Sequence, residues 1–292
     1  MSLFASLGAL ELGFIYSLVA LGVFISFKVL RFPDLTVDGT FATGGAVTAL
    51  MISQGFDPFV ACVVAVIVCG FAGMITGWLN VKLGIMDLLA SILMMTALYS
   101  INLRIMGGPN IPLIINDTVF SLTQLGGIDD FQWRPLLLAI VVVVVKLLMD
   151  WFFATETGLA MRSTGSNLRM ARAQGISTDF MVMLGMAISN GLVGLGGALF
   201  VQSQGGADIS MGIGTIVIGL AAVIVGQSII TARRFVYITL AVIIGAILYR
   251  FFIALALNSD FIGLKAQDLN LVTALLVTVA LILPKLKQKM KK

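Results

Sequence analysis

The sequence predicts an all-α polytopic membrane protein, and three observations predict it. Of its 292 residues 59% are hydrophobic and only 11% charged, against about 45–50% and about 25% in soluble domains. Mean hydropathy is +1.08. Charge-free runs occupy positions 39–56, 58–81, 180–207 and 209–232, each close to the roughly 20 residues a crossing helix needs. Charge this sparse cannot cover two solvated domains, so residues 1–292 read as one transmembrane bundle.

Taken in order, the apolar stretches place spans at 7–27, 39–55, 59–80, 87–106, 135–153, 178–202, 213–231, 235–254 and 269–284, about nine within a range of 8–10. The first holds Glu11 and lacks a small-residue cleavage site, so it reads as a retained helix. The third carries Cys62 and Cys69, two helical turns apart, too far for a disulfide and suited to packing. In the fifth, Lys146 can pair with Asp150 one turn on while it snorkels. In the sixth, Gly191-Leu-Val-Gly-Leu-Gly-Gly-Ala198 sets small residues at helical spacing for close packing.

Basic residues collect on the cytoplasmic side. With the N-terminus outside, Lys28, Arg31, Lys82, Arg162, Arg169, Arg172, Arg233, Arg234 and five lysines after Pro284 fall inside, 13 of the 18 cations. The expectation is a multi-pass protein of the cytoplasmic membrane, with a cytoplasmic C-terminus. The surplus of +4 then reports orientation, not nucleic-acid binding.

The chain has no histidine, which removes triads with a histidine base, His-ligated metals and histidine proton relays. No catalytic residue, metal or cofactor is expected in it. No Gly-Lys-Ser/Thr follows a glycine run, so a phosphate-cradling loop is absent as well.

Sliding the chain on itself by 174 residues aligns Leu18-Val-x-Leu-Gly22 with Leu192-Val-x-Leu-Gly196, and Asp34-Leu-Thr36 with Asp208-Ile-Ser210. Five spans separate the copies, so they run in opposite directions. This is the pattern of two inverted pseudo-repeats, halves of about 7–154 and 178–292, around a midplane pathway. Each polar copy beside glycines suits a broken or re-entrant helix lining a cavity. Thr36, Asp38, Thr40, Ser210 and Thr215 are the candidate pathway residues. The alternative is that Asp34 and Asp208 only cap helices.

Residues 155–177 are the longest polar stretch on the inner side. Arg162 and Arg169, seven apart, share a helical face, with Arg172 about 80° round, provided Gly165 does not break the helix. An amphipathic helix parallel to the membrane is expected there, and lipid head groups are its plain partner.

This stretch resembles the permease subunits of bacterial ATP-binding-cassette importers of the branched-chain amino acid and ribose type. Gly158, Ala160, Arg162, Gly165, Asn167, Ala171, Gly175 and Ile176 carry the likeness. Two further stretches, Arg31-Phe-Pro-Asp-Leu-Thr-Val-Asp-Gly-Thr40 and Arg104-Ile-Met-Gly-Gly-Pro-Asn-Ile-Pro-Leu113, resemble the tryptophan- and tyrosine-uptake branch. The resemblance implies a cytoplasmic coupling helix, with Glu156, Gly158, Ala160, Arg162, Gly165, Asn167, Arg169, Arg172 and Gly175 as its ATPase-coupling residues. It also implies two copies of an ATPase subunit that bind ATP and Mg, an extracytoplasmic solute-binding protein or lipoprotein, a permease homodimer in the lipid bilayer, and a small solute, an aromatic amino acid by preference. Pairing with a second, different permease is the other arrangement. An ion- or proton-coupled secondary transporter is the competing function, because Asp34, Asp38 and Asp208 also suit ion coordination.

Overall fold

The computed structural model describes residues 3–113, 116–124, 129–230, 232, 234–257 and 278. Helix α1 (Leu3–Val23) runs on into a π-helical segment, Phe24–Val29. An irregular stretch leads to α2 (Thr36–Ser53), followed by α3 (Pro58–Leu83) and α4 (Asp87–Met106). A short strand β1 (Asn110–Pro112) and a single turn α5 (Val119–Leu122) lead to α6 (Asp130–Ala154). Two short helices, α7 (Glu156–Ser166) and α8 (Leu168–Ala173), precede α9 (Thr178–Gln204), β2 (Gly206–Asp208), α10 (Thr215–Ile229) and α11 (Phe235–Leu257). Eight of the nine expected spans fall on these helices; of the ninth, 269–284, only residue 278 is among the described residues.

Helix ends follow local chemistry. Asp57 accepts hydrogen bonds from the N–H groups of Phe59 (2.8 Å) and Val60 (3.3 Å), with Pro58 opening α3, the arrangement that satisfies free first-turn donors. Among the described residues six helices are long and apolar enough to cross a membrane. Helix α10, with 15 residues, is shorter, and α2, with 18, carries Thr36, Asp38 and Thr40 in its first turns. At about 1.5 Å per residue α2 measures about 27 Å and α10 about 22 Å, less than the roughly 30 Å of a hydrocarbon core. Both begin inside the protein.

Helix α9 is the centre of the packing: α3, α2 and α1 all lie against it, while α11 packs on α1 and on α10. Its glycines explain the closeness. A Cβ on Gly197 would strike the carbonyl of Phe41, one on Gly194 would meet Cys69 Cβ at 2.5 Å, and one on Gly44 would collide with Gly194 backbone. Such contacts let helices associate in lipid, where no hydrophobic force drives them together. The expected packing role of the 191–198 stretch therefore holds. Cys62 and Cys69 are free and buried, as expected.

Three details depart from the sequence reading. Strands β1 and β2 pair antiparallel, with Asn110 opposite Asp208 and Pro112 opposite Gly206, a non-local contact with no signature in either segment. Lys146 and Asp150 pair at 2.6 Å, yet their side chains are only 13% and 10% exposed, and Thr239 donates to Asp150 at 2.7 Å. The pair is thus sealed by α11 and does not snorkel. The polar stretch after α6 is two helices, broken at Asn167 and not at Gly165.

Replacing Gly197 by leucine should cost more than about 3 kcal/mol, since the strike is on a carbonyl that cannot swing away. Leucine at Gly8, which has nothing within 4 Å of an added Cβ, should leave stability unchanged. Thermal unfolding of the two variants in detergent checks the contrast.

Candidate functional site

Two groups of residues stand out, one inside the bundle and one at its end. The inner group gathers where α2 starts. Asp34 is buried; its Oδ1 accepts from the N–H of Thr36 at 2.9 Å and its Oδ2 from Asn190 Nδ2 at 2.8 Å. Thr40 donates to Asn190 Oδ1 at 2.8 Å, and the hydroxyls of Thr36 and Thr76 lie 3.0 Å apart. A continuous polar chain therefore links the α2 start to α3 and α9, and every member is satisfied, as burial demands.

Asp38 does something the sequence did not disclose. From the first turn of α2, its Oδ2 accepts from the N–H of Gly214 at 3.0 Å and its Oδ1 from the N–H of Ile216 at 2.8 Å. It caps α10 across 176 residues of chain. The N-termini of both short helices thus converge on one carboxylate, which answers the partial positive charge and the free donors of α10. Gly212 permits the approach, since a Cβ there would strike the Asp38 carbonyl. Beside Asp38 lies a slot of about 40 Å³ between α2, α4 and the 209–213 turn, lined by Met95, Tyr99 and Asn102 among others. That is room for about one water.

Of the five candidate pathway residues, Asp38 and Thr215 meet at the start of α10, and Thr36 and Thr40 face α3 and α9 from the same stretch of α2. All four are buried. Ser210 stands apart, exposed and bonded to Asp208 through both its N–H and its hydroxyl. Asp208 therefore organises a local turn. Asn190 and Thr76 were missed; a lone asparagine within the charge-free run 180–207 was the available signal.

The second group is α7 with α8. Thr155 accepts from the N–H of Gly158 at 3.4 Å to open α7, and a Cβ on Gly158 would collide with the Phe152 carbonyl. Gly165 lies so close to Val29 that a Cβ would strike its carbonyl, seating α7 on the end of the π-helical segment. Asn167, in extended backbone, accepts from the N–H of Met170 at 3.1 Å and opens α8. Gly175, at φ +82°, closes it. Ala171 is buried and Ala160 partly so. The motif glycines and Asn167 thus shape the hairpin.

The charged residues divide. Arg172 is tied to α9, donating to Thr178 Oγ1 at 2.7 Å and pairing with Asp179 at 2.9 Å. Arg162 lies over the Phe235 ring, 5.1 Å from its centroid. Arg162 and Arg169 sit on different helices, so the shared helical face expected for them is not formed. Among the described residues neither has a carboxylate partner. Exposed with Glu156 and Arg169 are Leu159, Leu168 and Met170, an apolar rim the charge pattern had hidden.

A family model described as "Branched-chain amino acid transport system / permease component" matches residues 6–283. The tyrosine transport system permease protein of Clostridioides difficile (strain R20291) is 38% identical over 279 residues, covering 95% of this chain and 90% of the relative. RP368 of Rickettsia prowazekii (strain Madrid E) is 34% identical over 282 residues, 94% and 95% of the two chains. The autoinducer 2 import system permease protein LsrC of Salmonella typhi is 27% identical over 270 residues, 86% and 73%. No solved structure matches the chain.

Replacing Asn190 by leucine should cost about 2–3 kcal/mol, because Asp34 loses a donor and Thr40 an acceptor in a buried site. Combined with Asp34→Ala, the loss should be smaller than the sum of the single losses. Equilibrium unfolding of the double-mutant cycle in detergent checks it; strict additivity would show that the two groups do not interact.

Proposed function

We propose that this chain, which belongs to the permease-component family of branched-chain amino acid transport systems, forms the translocation pathway of an ATP-driven importer. The family is one of transport subunits in membranes, and family membership brings ATPase and binding-protein partners in general terms. The single observation that carries the finer reading is the α7–α8 hairpin. Its glycines and Asn167 are taken up by internal contacts and caps, which leaves Glu156, Leu159, Arg162, Leu168, Arg169 and Met170 presented outward. A docking element needs this combination: a rigid seat on α6, the π-helical segment and α9, and an exposed mixed face for a partner.

The rest of the reading concerns architecture. Nine spans, with the N-terminus outside and residues 155–177 in the cytoplasm, form one permease unit of two inverted halves. The 174-residue offset carries residues 3–29 onto 177–203, beside α9 at Thr178–Gln204, and carries α2 and α3 onto α10 and α11. The packing exchanges in the same way: α3 lies on α9 as α11 lies on α1, and α2 on α3 as α10 on α11. Two copies of the chain pair as a homodimer, each gripping one ATPase subunit that holds ATP and Mg. An extracytoplasmic solute-binding protein delivers the substrate. That substrate is an amino acid, an aromatic one by preference, since the relative named for tyrosine transport is more similar than the one named for autoinducer 2 import.

Mechanically, closure of the nucleotide-bound ATPases pushes on α7–α8. Because α7 bears on Val29 and Leu30 through Gly165, and α8 is tied to α9 through Arg172, the push reaches the π-helical end of α1 and the first turn of α9. Packed elements with two discrete arrangements transmit such motion. The convergence of α2 and α10 on Asp38 lies between them and is where the path opens.

Arg169→Glu should leave insertion and fold intact while uncoupling ATP hydrolysis from uptake in vesicles containing both subunits, with import reduced at least about tenfold, as for loss of one charge pair at an interface. Import at the normal rate would refute the coupling role of this hairpin.

A further inference from the structure

A cavity of about 360 Å³ opens where the π-helical segment, α7, the end of α10 and the start of α11 meet. Lys28, Arg31 and Arg162 line it, with Gln227 beside them and Phe24 and Phe235 in its apolar wall. Among the described residues none of these three cations has a carboxylate within ion-pair distance. Three like charges around one pocket repel one another, so an arrangement that gathers them has an anion to hold.

The local backbone is bent toward this arrangement. Leu30 donates to Ile25 and Phe32 to Ser26, longer reaches than an α-helix makes, and Arg31 sits at φ +58°, a left-handed conformation rare outside glycine and asparagine. The π-helical segment ends at Val29, two residues before Arg31, and the side chains of Lys28 and Arg31 both line the pocket that Arg162 reaches from α7. Phe235 fixes Arg162 by lying under its guanidinium, which leaves the N–H edges of the planar fork free for oxygen ligands.

We propose that this pocket binds a tetrahedral phosphate-type anion, and that its source is the headgroup of an anionic phospholipid. Two observations favour a lipid over a soluble anion or a protein carboxylate. The walls are the ends of membrane-spanning helices, where basic pockets hold anionic headgroups. The flank beside it is apolar and open: Phe27, Ile229, Val236 and Tyr237 are each more than two-fifths exposed, a track on which acyl chains can lie. The site couples the bilayer to α7, because Arg162 belongs both to the pocket and to the proposed docking hairpin. It rests on the reading of these helices as membrane-embedded, and its primary test, lipid binding, requires neither ATPase nor transported solute.

The purified chain is titrated in neutral detergent with phosphatidylglycerol, with phosphatidylcholine and with inorganic phosphate, and thermal unfolding is followed. Phosphatidylglycerol should raise the unfolding temperature saturably while phosphatidylcholine does not. The Lys28→Gln/Arg31→Gln variant should unfold normally without lipid and respond to phosphatidylglycerol with affinity weakened about tenfold or more. Equal responses to both lipids, or an unchanged response in the variant, would overturn the proposal. So would inorganic phosphate acting as well as the lipid, which would make the ligand a free anion. If the variant instead keeps its lipid response and loses affinity for the ATPase subunit, the pocket is a protein-docking surface and the lipid assignment is wrong. Should the variant fail to fold, Lys28→Gln alone gives the same comparison.

Discussion

A helix that begins inside a lipid-embedded protein has first-turn N–H groups and no water to receive them. This constraint organises the bundle. Helices α2 and α10 both begin in the interior, and the protein answers with carboxylates: Asp34 receives the N–H of Thr36, and Asp38 receives those of Gly214 and Ile216. Each unsatisfied donor would cost several kcal/mol in a dry environment. The two starts are therefore fixed relative to one another by a contact spanning most of the chain. The result is a polar focus held in an otherwise apolar assembly.

Close packing makes that focus possible. Glycines on α2, α3 and α9 bring backbones together until only hydrogen separates them, and this places Asn190 of α9 within reach of Asp34 and Thr40. The same helix carries the effect outward, because α8 is tied to its first turn by the ion pair of Arg172 and Asp179. The hairpin on which a partner ATPase would push and the centre where two helix starts meet are thus joined through α9 and through the π-helical end of α1. The proposed coupling to a separate ATPase would require such a connection.

Much of this was legible in the residues. Helix positions followed from the charge-free and other apolar runs, and the glycine stripe at 191–198 announced close packing. In the hairpin, Gly158 and Gly165 sit where a side chain would strike neighbouring backbone, and Gly175 adopts a left-handed conformation. What was not legible depended on distance along the chain. Asp38 reads as a candidate pathway residue until α10 is placed beside it and shows it to be a cap, and the pairing of β1 with β2 has no local mark. Asn167 reads as one polar residue in an amphipathic stretch, yet its side chain opens a new helix and separates Arg162 from Arg169. The exposed Leu168 and Met170 became visible only once that break was known.

The central claim is that this chain opens a path only when another subunit spends ATP on it. Uptake of radiolabelled tyrosine into vesicles holding the purified chain, with its ATPase subunit and binding protein added or withheld, tests this most directly. The account predicts accumulation only when both partners and ATP are present, unaffected by collapsing ion gradients. Accumulation by the chain alone, driven by a sodium or proton gradient, would contradict it.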